Sequence, residues 1–147
     1  MTVRIVLGSP MDVYISELEA SGMSLIIRKE GRVVFRSSSK GLLPHLEAIR
    51  GLGREALRGT VVADKIIGRA AALLMLYSLP SEVHAGVITV GGRRLLEEGG
   101  VRVFYAEEVE AVKVKDGRIY CPFESMVQGI SDPEEAYKAI EARMGRL

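Results

Sequence analysis

The residues from Val83 to Val90 form an almost uninterrupted apolar run, and this run constrains the fold more than any other feature of the sequence. A run of this length and composition is typical of a central strand that is covered on both faces of a sheet. Helical patterns flank it, from Asp64 to Ser78 before it and from Gly91 to Glu98 after it. Because both faces of such a strand must be covered, this alternation predicts a three-layer α/β/α sandwich with a mixed sheet.

Local signals predict hairpins and helices in the rest of the chain. β-Branched residues on both sides of Glu30-Gly31 predict a β-hairpin, because this dipeptide supplies the turn. A second hairpin is predicted across Asp116-Gly117, and Ser131-Asp132-Pro133 predicts the start of a helix that runs to about Met144. Further helices are predicted at 11–21 and 42–57, the second interrupted near Gly51 and Gly53.

The length and composition restrict the class of protein. A chain of 147 residues has the size of one ordinary domain, so we expect a single domain over residues 1–147. Hydrophobic residues make up 48% and charged residues 27%, which is typical of a globular protein rather than a disordered one. With 20 basic and 19 acidic residues, the net charge is +1, so we expect neither a nucleic acid nor a membrane as partner.

Composition also bears on location and habitat. No segment approaches the roughly 20 apolar residues of a membrane span, and the first ten residues make a poor signal peptide, so we expect a cytoplasmic protein. The chain has no asparagine and a single glutamine, Gln128, together with many charged side chains. This depletion of thermolabile amides predicts a thermophilic source.

Asp64 and Lys65 stand at the predicted start of the longest apolar helix. The Asp64 carboxylate is in position to accept hydrogen bonds from the first turn, which predicts an N-cap. Lys65 is harder to explain structurally, because a cation at a helix N-terminus opposes the helix dipole. We therefore weigh a functional role for Lys65 evenly against a plain solvated lysine.

Cys121 is the only cysteine, and it precedes Pro122 and Glu124 in the pattern of a helix start. A thiol at such a position can have a lowered pKa and become a nucleophile. The structural alternative is that Cys121 is a small buried hydrophobic residue, which is common for free cysteine. A carboxylate of Glu124 close to the sulfur would oppose the thiolate.

His45 and His84 are the two histidines of the chain. His84 lies within the apolar strand, so we expect it to be a hydrogen-bonded core residue. His45 follows Pro44 at a predicted helix start and is expected to be exposed. A single cysteine excludes Cys₂ and Cys₄ zinc clusters, and we expect no metal and no cofactor.

The sequence resembles a family of uncharacterised bacterial and archaeal proteins with a cytidine-deaminase-like fold, and the resemblance covers about residues 13–142. It rests on Phe35–Ser38 leading to Gly41 and Pro44, on Val62–Ala72, on Cys121–Glu124 and on Asp132–Tyr137. The resemblance implies a five-stranded mixed sheet flanked by helices. Zinc deaminases hold a metal-activated water with His-x-Glu and Pro-Cys-x-x-Cys motifs. Asp64-Lys65 and Thr89–Gly92 stand at about those positions and supply no zinc ligands, so the resemblance implies the fold without the usual chemistry.

These observations predict a cavity near Asp64, Lys65, Cys121 and Glu124 that binds a small anionic or nucleotide-like ligand. The first alternative is a metal-independent enzyme with Cys121 as nucleophile, Lys65 as electrostatic stabiliser, and Asp64 or Glu124 as proton carrier. The second alternative is a non-catalytic scaffold that forms a homo-oligomer.

Overall fold

A mixed sheet with helices on both faces forms the body of the protein in the computed structural model, which describes residues 2–4, 12–110 and 122–144. The strands are β1 (Thr2–Arg4), β2 (Leu25–Lys29), β3 (Arg32–Ser37), β4 (Val61–Ile67), β5 (Glu82–Thr89) and β6 (Arg102–Val109). The helices are α1 (Val13–Ser21), α2 (Leu43–Leu52), α3 (Arg54–Leu57), α4 (Arg69–Ser78), α5 (Val90–Glu98), α6 (Pro122–Met126) and α7 (Pro133–Met144).

The strand order is β1-β6-β5-β4-β2-β3. Strands β4, β5 and β6 are parallel and are joined by α4 and α5, whereas β2 runs antiparallel to both β4 and β3. The predicted α/β class with a mixed five-stranded sheet is therefore confirmed for β2 to β6. The short strand β1 adds a sixth member, parallel to β6, that the sequence did not predict.

The hairpin between β2 and β3 has the geometry that its turn residues require. Glu30 and Gly31 both have positive φ, at 50° and 81°. Two consecutive positive φ values define the tight turn whose twist matches that of the flanking strands, and glycine adopts the second without steric cost. The predicted hairpin is confirmed at this turn, while the one across Asp116-Gly117 lies outside the described residues.

The two faces of the sheet are covered unequally. Helix α1 packs against β4 and β5. Its residue Leu18 forms a small apolar cluster with Ile26 of β2 and Ala63 of β4. On the opposite face α4 is the central helix, in contact with α2, α5 and α7, and seven of its ten residues are buried. Because its neighbours surround it, α4 can be apolar on nearly all sides.

The predicted helix from Asp64 to Ser78 is wrong at its beginning. Residues up to Ile67 belong to β4, where Asp64 lies opposite Leu25 of β2 and Ala85 of β5. The helix begins only at Arg69, after an extended Gly68. Pairing with strands on both sides therefore overrides the helical period of the apolar residues.

No helix of the described ranges is long and apolar enough to cross a membrane.

Candidate functional site

A cavity of about 500 Å³ opens at the carboxyl end of β4. It lies where β4, which is parallel to β5, meets the antiparallel strand β2, and the beginnings of α2 and α4 complete its walls. Its apolar lining is Leu25, Leu42, Pro44, Ile66 and Ala71, and its polar lining includes Ser24, Lys40, His45, Asp64, Lys65 and Glu124. In open α/β sheets, ligands bind in such crevices beyond the carboxyl ends of parallel strands.

His45 and Asp64 form a buried pair in the wall of this cavity. Nε2 of His45 lies 2.7 Å from Oδ2 of Asp64, and the two side chains are 7% and 10% exposed. The other carboxylate oxygen, Oδ1, accepts a hydrogen bond of 3.3 Å from the backbone N–H of Ile66. Asp64 therefore orients the imidazole ring and fixes which nitrogen the ring directs away from it.

Two predictions fail at this pair. Asp64 is not an N-cap, because it lies within β4 and its carboxylate binds His45. His45 is buried rather than exposed, because it belongs to the face of α2 that packs on the sheet. The signal was present in the sequence: Leu42, His45, Leu46 and Ile49 recur at helical spacing, and all four are buried.

Glu124 supplies the cap that Asp64 was expected to supply. Its two carboxylate oxygens accept hydrogen bonds from the backbone N–H groups of Arg69 (3.1 Å) and Ala70 (2.9 Å), at the start of α4. Arg69 in turn donates to the backbone carbonyls of Val127 (3.0 Å) and Ile130 (2.5 Å), which follow Glu124 along the chain. These bonds fasten α6 to α4 and satisfy two otherwise unpaired N–H groups.

Lys40 and Lys65 line the cavity and are exposed. Neither side chain has a hydrogen-bonding or ion-pair partner among the residues that the structure describes. Lys65 was predicted to lie at a helix N-terminus, and this prediction is wrong, because Lys65 is the fifth residue of β4. The hydrogen bonds of Asp64 and Glu124 leave their negative charges in place, so the formal charges of the two carboxylates and the two lysines balance. The same bonds engage the carboxylate oxygens, and both lysine ammonium groups are left without an acceptor among the described residues.

Of the four candidate residues, the structure brings Asp64, Lys65 and Glu124 to one cavity, whereas Cys121 lies outside the described residues. Helix α6 begins at Pro122 as predicted, one position after Cys121. The carboxylate of Glu124, which would oppose a thiolate if it lay close to the sulfur, accepts hydrogen bonds from the start of α4.

The part of the chain described by the structure contains no group of three His, Cys, Asp or Glu side chains that could hold a metal ion. His45-Leu46-Glu47 has the His-x-Glu spacing of a deaminase motif and stands at the start of α2, but Glu47 is exposed. Asp64-Lys65, expected at that motif, lies in a strand instead. Thr89 caps α5 through the N–H of Gly92 at 3.0 Å, so this segment serves as a helix cap.

Fold and cavity together define an α/β protein with a mixed sheet and a candidate ligand site beside one parallel strand. The family model described as TM1506, a domain of unknown function (DUF1893), matches residues 14–144. The chain therefore belongs to the DUF1893 family, in agreement with the resemblance to an uncharacterised family.

A solved structure of the same family supports this assignment. The chain is 32% identical to a DUF1893 family protein (TM1506) from Thermotoga maritima, with a TM-score of 0.79 over 95% of this chain and 93% of the other. That organism is a thermophile, and a thermophilic source for the present chain stays a prediction. No curated protein matches the chain.

Proposed function

We propose that the cavity at the end of β4 binds a small organic anion, for which a nucleotide-like molecule is one candidate. One observation carries the proposal: Lys40 and Lys65 line the cavity without an acceptor among the described residues, while the carboxylates of Asp64 and Glu124 are both engaged. An anion is the ligand that offers acceptor oxygens to both ammonium groups at such a site.

The remaining walls suit the uncharged part of such a ligand. Small-molecule sites of roughly 300–1,000 Å³ are lined mostly by apolar side chains with a few placed polar groups. The present cavity, at about 500 Å³, lies within that range. Leu25, Leu42 and Ile66 provide apolar surface, and Ile66 is 55% exposed although it belongs to a strand next to the core. A ligand with an apolar or aromatic portion would cover it.

The finer fold assignment is part of the same proposal. An antiparallel hairpin followed by alternating helices and parallel strands supports a cytidine-deaminase-like fold. The proposed binding mode involves no zinc step, and its polar contacts come from the lysines and from the His45–Asp64 pair.

A reactive Cys121 is the second candidate function. It is favoured by the position of α6, whose third residue, Glu124, lines the cavity only three positions after the cysteine. The test is the alkylation rate of this single thiol in the folded protein against pH. Reaction with an apparent pKa well below about 8.5 supports a thiolate nucleophile. Alkylation that occurs only after unfolding contradicts it.

The homo-oligomeric scaffold is supported less. Strand β3 forms an edge of the sheet and exposes Val33 (45%) and Val34 (37%), which would favour association. The same strand carries the exposed Arg32 and Arg36, and charged side chains at an edge oppose strand pairing. Sedimentation velocity at about 100 µM protein measures the mass in solution, and weak contacts with a Kd of ~1 mM are mostly dissociated at that concentration. A monomer under these conditions would exclude a stable oligomer.

The primary proposal is tested by matched ligand pairs in thermal unfolding. AMP is compared with adenosine, and phenyl phosphate with phenol, so that each pair differs in the anionic group alone. We expect both anions to raise Tm, since a ligand at 100 times its Kd stabilises the fold by about 2.7 kcal/mol. The neutral partners should have a much smaller effect.

Lysine variants locate the binding. Lys40→Ala and Lys65→Ala should each reduce the Tm shift, whereas Lys138→Ala should leave it unchanged, because Lys138 is an exposed residue of α7 outside the cavity. Equal shifts for anions and neutral partners, or equal losses in all three variants, would contradict the proposal.

A further inference from the structure

We infer that His45 takes up a proton from solvent when the anion binds and donates a hydrogen bond to it, so that the ligand is an oxyanion whose binding is coupled to proton uptake by the protein. This inference rests on the proposed function, since it names the group that contacts the ligand and the class of ligand that it accepts. The class is small organic phosphates or carboxylates with an apolar body.

The geometry of the His45–Asp64 pair is the first step. Asp64 Oδ2 contacts Nε2 of His45 at 2.7 Å, while Nδ1 makes no hydrogen bond to any residue within the described ranges. The side chain is more than nine-tenths buried and lines the cavity. A ring nitrogen that has no partner among the described residues is available to a ligand, and a ligand oxygen in the cavity would bond to it.

The charges around His45 determine how it responds to a ligand. Asp64 on β4 favours the protonated imidazole, whereas Lys65 on the same strand and Lys40 before α2 oppose it. Glu124 on α6 is bonded to the start of α4, and Glu47 on α2 is exposed. Among the protein's own groups, the two lysines therefore act against Asp64 at the ring.

An anion reverses this balance. When a ligand oxyanion neutralises Lys40 and Lys65, only the attraction of Asp64 and of the ligand itself remains, and both favour imidazolium. His45 then donates from Nε2 to Asp64 and from Nδ1 to the ligand oxygen, since both nitrogens of a protonated imidazole carry hydrogen. No bond between heavy atoms changes; one N–H bond forms on the ring, with a proton taken from solvent, for each anion bound.

Two physical readouts distinguish this arrangement from a merely structural histidine. Binding must consume protons, and the affinity for the anion must therefore fall as pH rises. For one linked proton the fall approaches about tenfold per pH unit. A histidine that only packs against Asp64 would change neither quantity.

The experiment is titration calorimetry of phenyl phosphate at one pH in buffers that differ in ionisation enthalpy. The slope of the observed enthalpy gives the number of protons taken up. His45→Gln serves as the matched variant, because the proton that phenyl phosphate itself binds is common to both proteins and cancels in the difference. We expect the wild type to take up as much as about one proton more than the variant.

Nitrogen-15 NMR of the two histidines provides a measurement that needs no variant. On addition of phenyl phosphate, the nitrogens of His45 should shift toward the imidazolium values while those of His84 stay unchanged. Binding with equal proton uptake in both proteins, or with no shift at His45, would overturn this inference and leave the proposed function intact. No binding of phenyl phosphate to the wild type would overturn both.

Discussion

The two histidines of this protein lie on opposite faces of the same sheet, and their surroundings differ in one respect. His84 is bonded at both ring nitrogens, Nδ1 to Asp12 and Nε2 to Glu82, the latter at 2.9 Å. His45 is bonded to Asp64 alone among the described residues. Both side chains are 7% exposed, so burial does not separate them. The two histidines differ in whether a ring nitrogen remains free to bond to a ligand.

The His84 cluster is closed by its neighbours as well as by its hydrogen bonds. The ring stacks on Phe104 at a centroid distance of 4.7 Å and lies 4.5 Å from the ring of Tyr14. Asp12 also caps α1, so the cluster fastens this helix to β5. It has the composition of an acid–base site but no free ligand position, and we interpret it as structural.

The titration of the cluster follows from these contacts. Burial lowers the pKa of His84, but hydrogen bonds to Asp12 and Glu82 outweigh burial and raise the pKa above its ordinary value of 6.5. Burial raises the pKa of the Asp12 and Glu82 carboxyls, but the hydrogen bonds to His84 lower it by more. The net shift of both pKa values is therefore downward. A charged histidine between two carboxylates is the favoured state.

The largest expected effect comes from removing either histidine. His84→Ala removes the partner that Asp12 and Glu82 share. Glu82 keeps its ion pair with Arg102 and Asp12 keeps its bonds to the start of α1, so the loss should be about 3 kcal/mol of unfolding free energy. His45→Ala leaves only Asp64, whose carboxylate borders the cavity and can be hydrated, so about 1–3 kcal/mol is expected. Urea unfolding at pH 6 measures both. A larger loss for His45→Ala would reverse the comparison.

The pH dependence of stability should carry the signature of His84. Because its folded pKa is raised, its stabilisation is complete below about pH 6.5, the unfolded value, and is lost as pH rises through the folded pKa. The lowered pKa values of Asp12 and Glu82 give a contribution that is lost as pH falls through their folded values, below the ordinary 3.8 and 4.5.

The cluster therefore stabilises the fold most in mildly acidic solution. Between pH 6.5 and the folded pKa of His84, the unfolding free energy of the wild type should decline by at most about 1.4 kcal/mol per pH unit for this one group. His84→Gln should remove the decline and His45→Gln should retain it. Parallel curves for His84→Gln and the wild type would show that the cluster does not titrate as described.

Chemical modification of the wild-type protein compares the accessibility of the two histidines without any substitution. Diethyl pyrocarbonate acylates an imidazole nitrogen whose lone pair is accessible. Both ring nitrogens of His84 are hydrogen-bonded, whereas Nδ1 of His45 has no partner among the described residues, so His45 should react at least about tenfold faster, a difference of about 1.4 kcal/mol in barrier. Mass spectrometry of the two peptides measures the rates, and phenyl phosphate should slow only the reaction at His45. Equal rates would mean that Nδ1 of His45 is not accessible.

The sequence predicted the elements that carry their own signals. The turn at Glu30-Gly31, the apolar strand β5 and the proline at the start of α7 are local features, and all three appear in the structure. The boundary between β4 and α4 carried no such signal. Its cap comes from Glu124, about 55 residues further along the chain, and a partner at that separation is not visible in a local pattern.

The candidate site was predicted in part for the same reason. Asp64, Lys65 and Glu124 were found because each stands at or near a predicted helix start, but their roles depend on tertiary contacts. His45 was expected to be exposed because it follows Pro44 at a helix start, whereas its partner Asp64 lies 19 residues away on a different element. Helical spacing indicated the burial of His45, and only the fold could indicate its partner.

The smallest effect concerns the carboxylate that the cavity shares with α4. Glu124→Gln keeps one acceptor for the N–H groups of Arg69 and Ala70 but removes the charge that interacts with the helix dipole, so a loss of about 1 kcal/mol is expected. Glu134→Gln is the control, since Glu134 lies in the first turn of α7 on the exposed surface. Removing a negative charge from the cavity should also tighten phenyl phosphate binding in Glu124→Gln, whereas Glu134→Gln should not change it. If Glu124→Gln abolishes binding instead, Glu124 contacts the ligand, and the cavity of His45 offers a ligand a second polar side chain that the closed cluster of His84 does not offer.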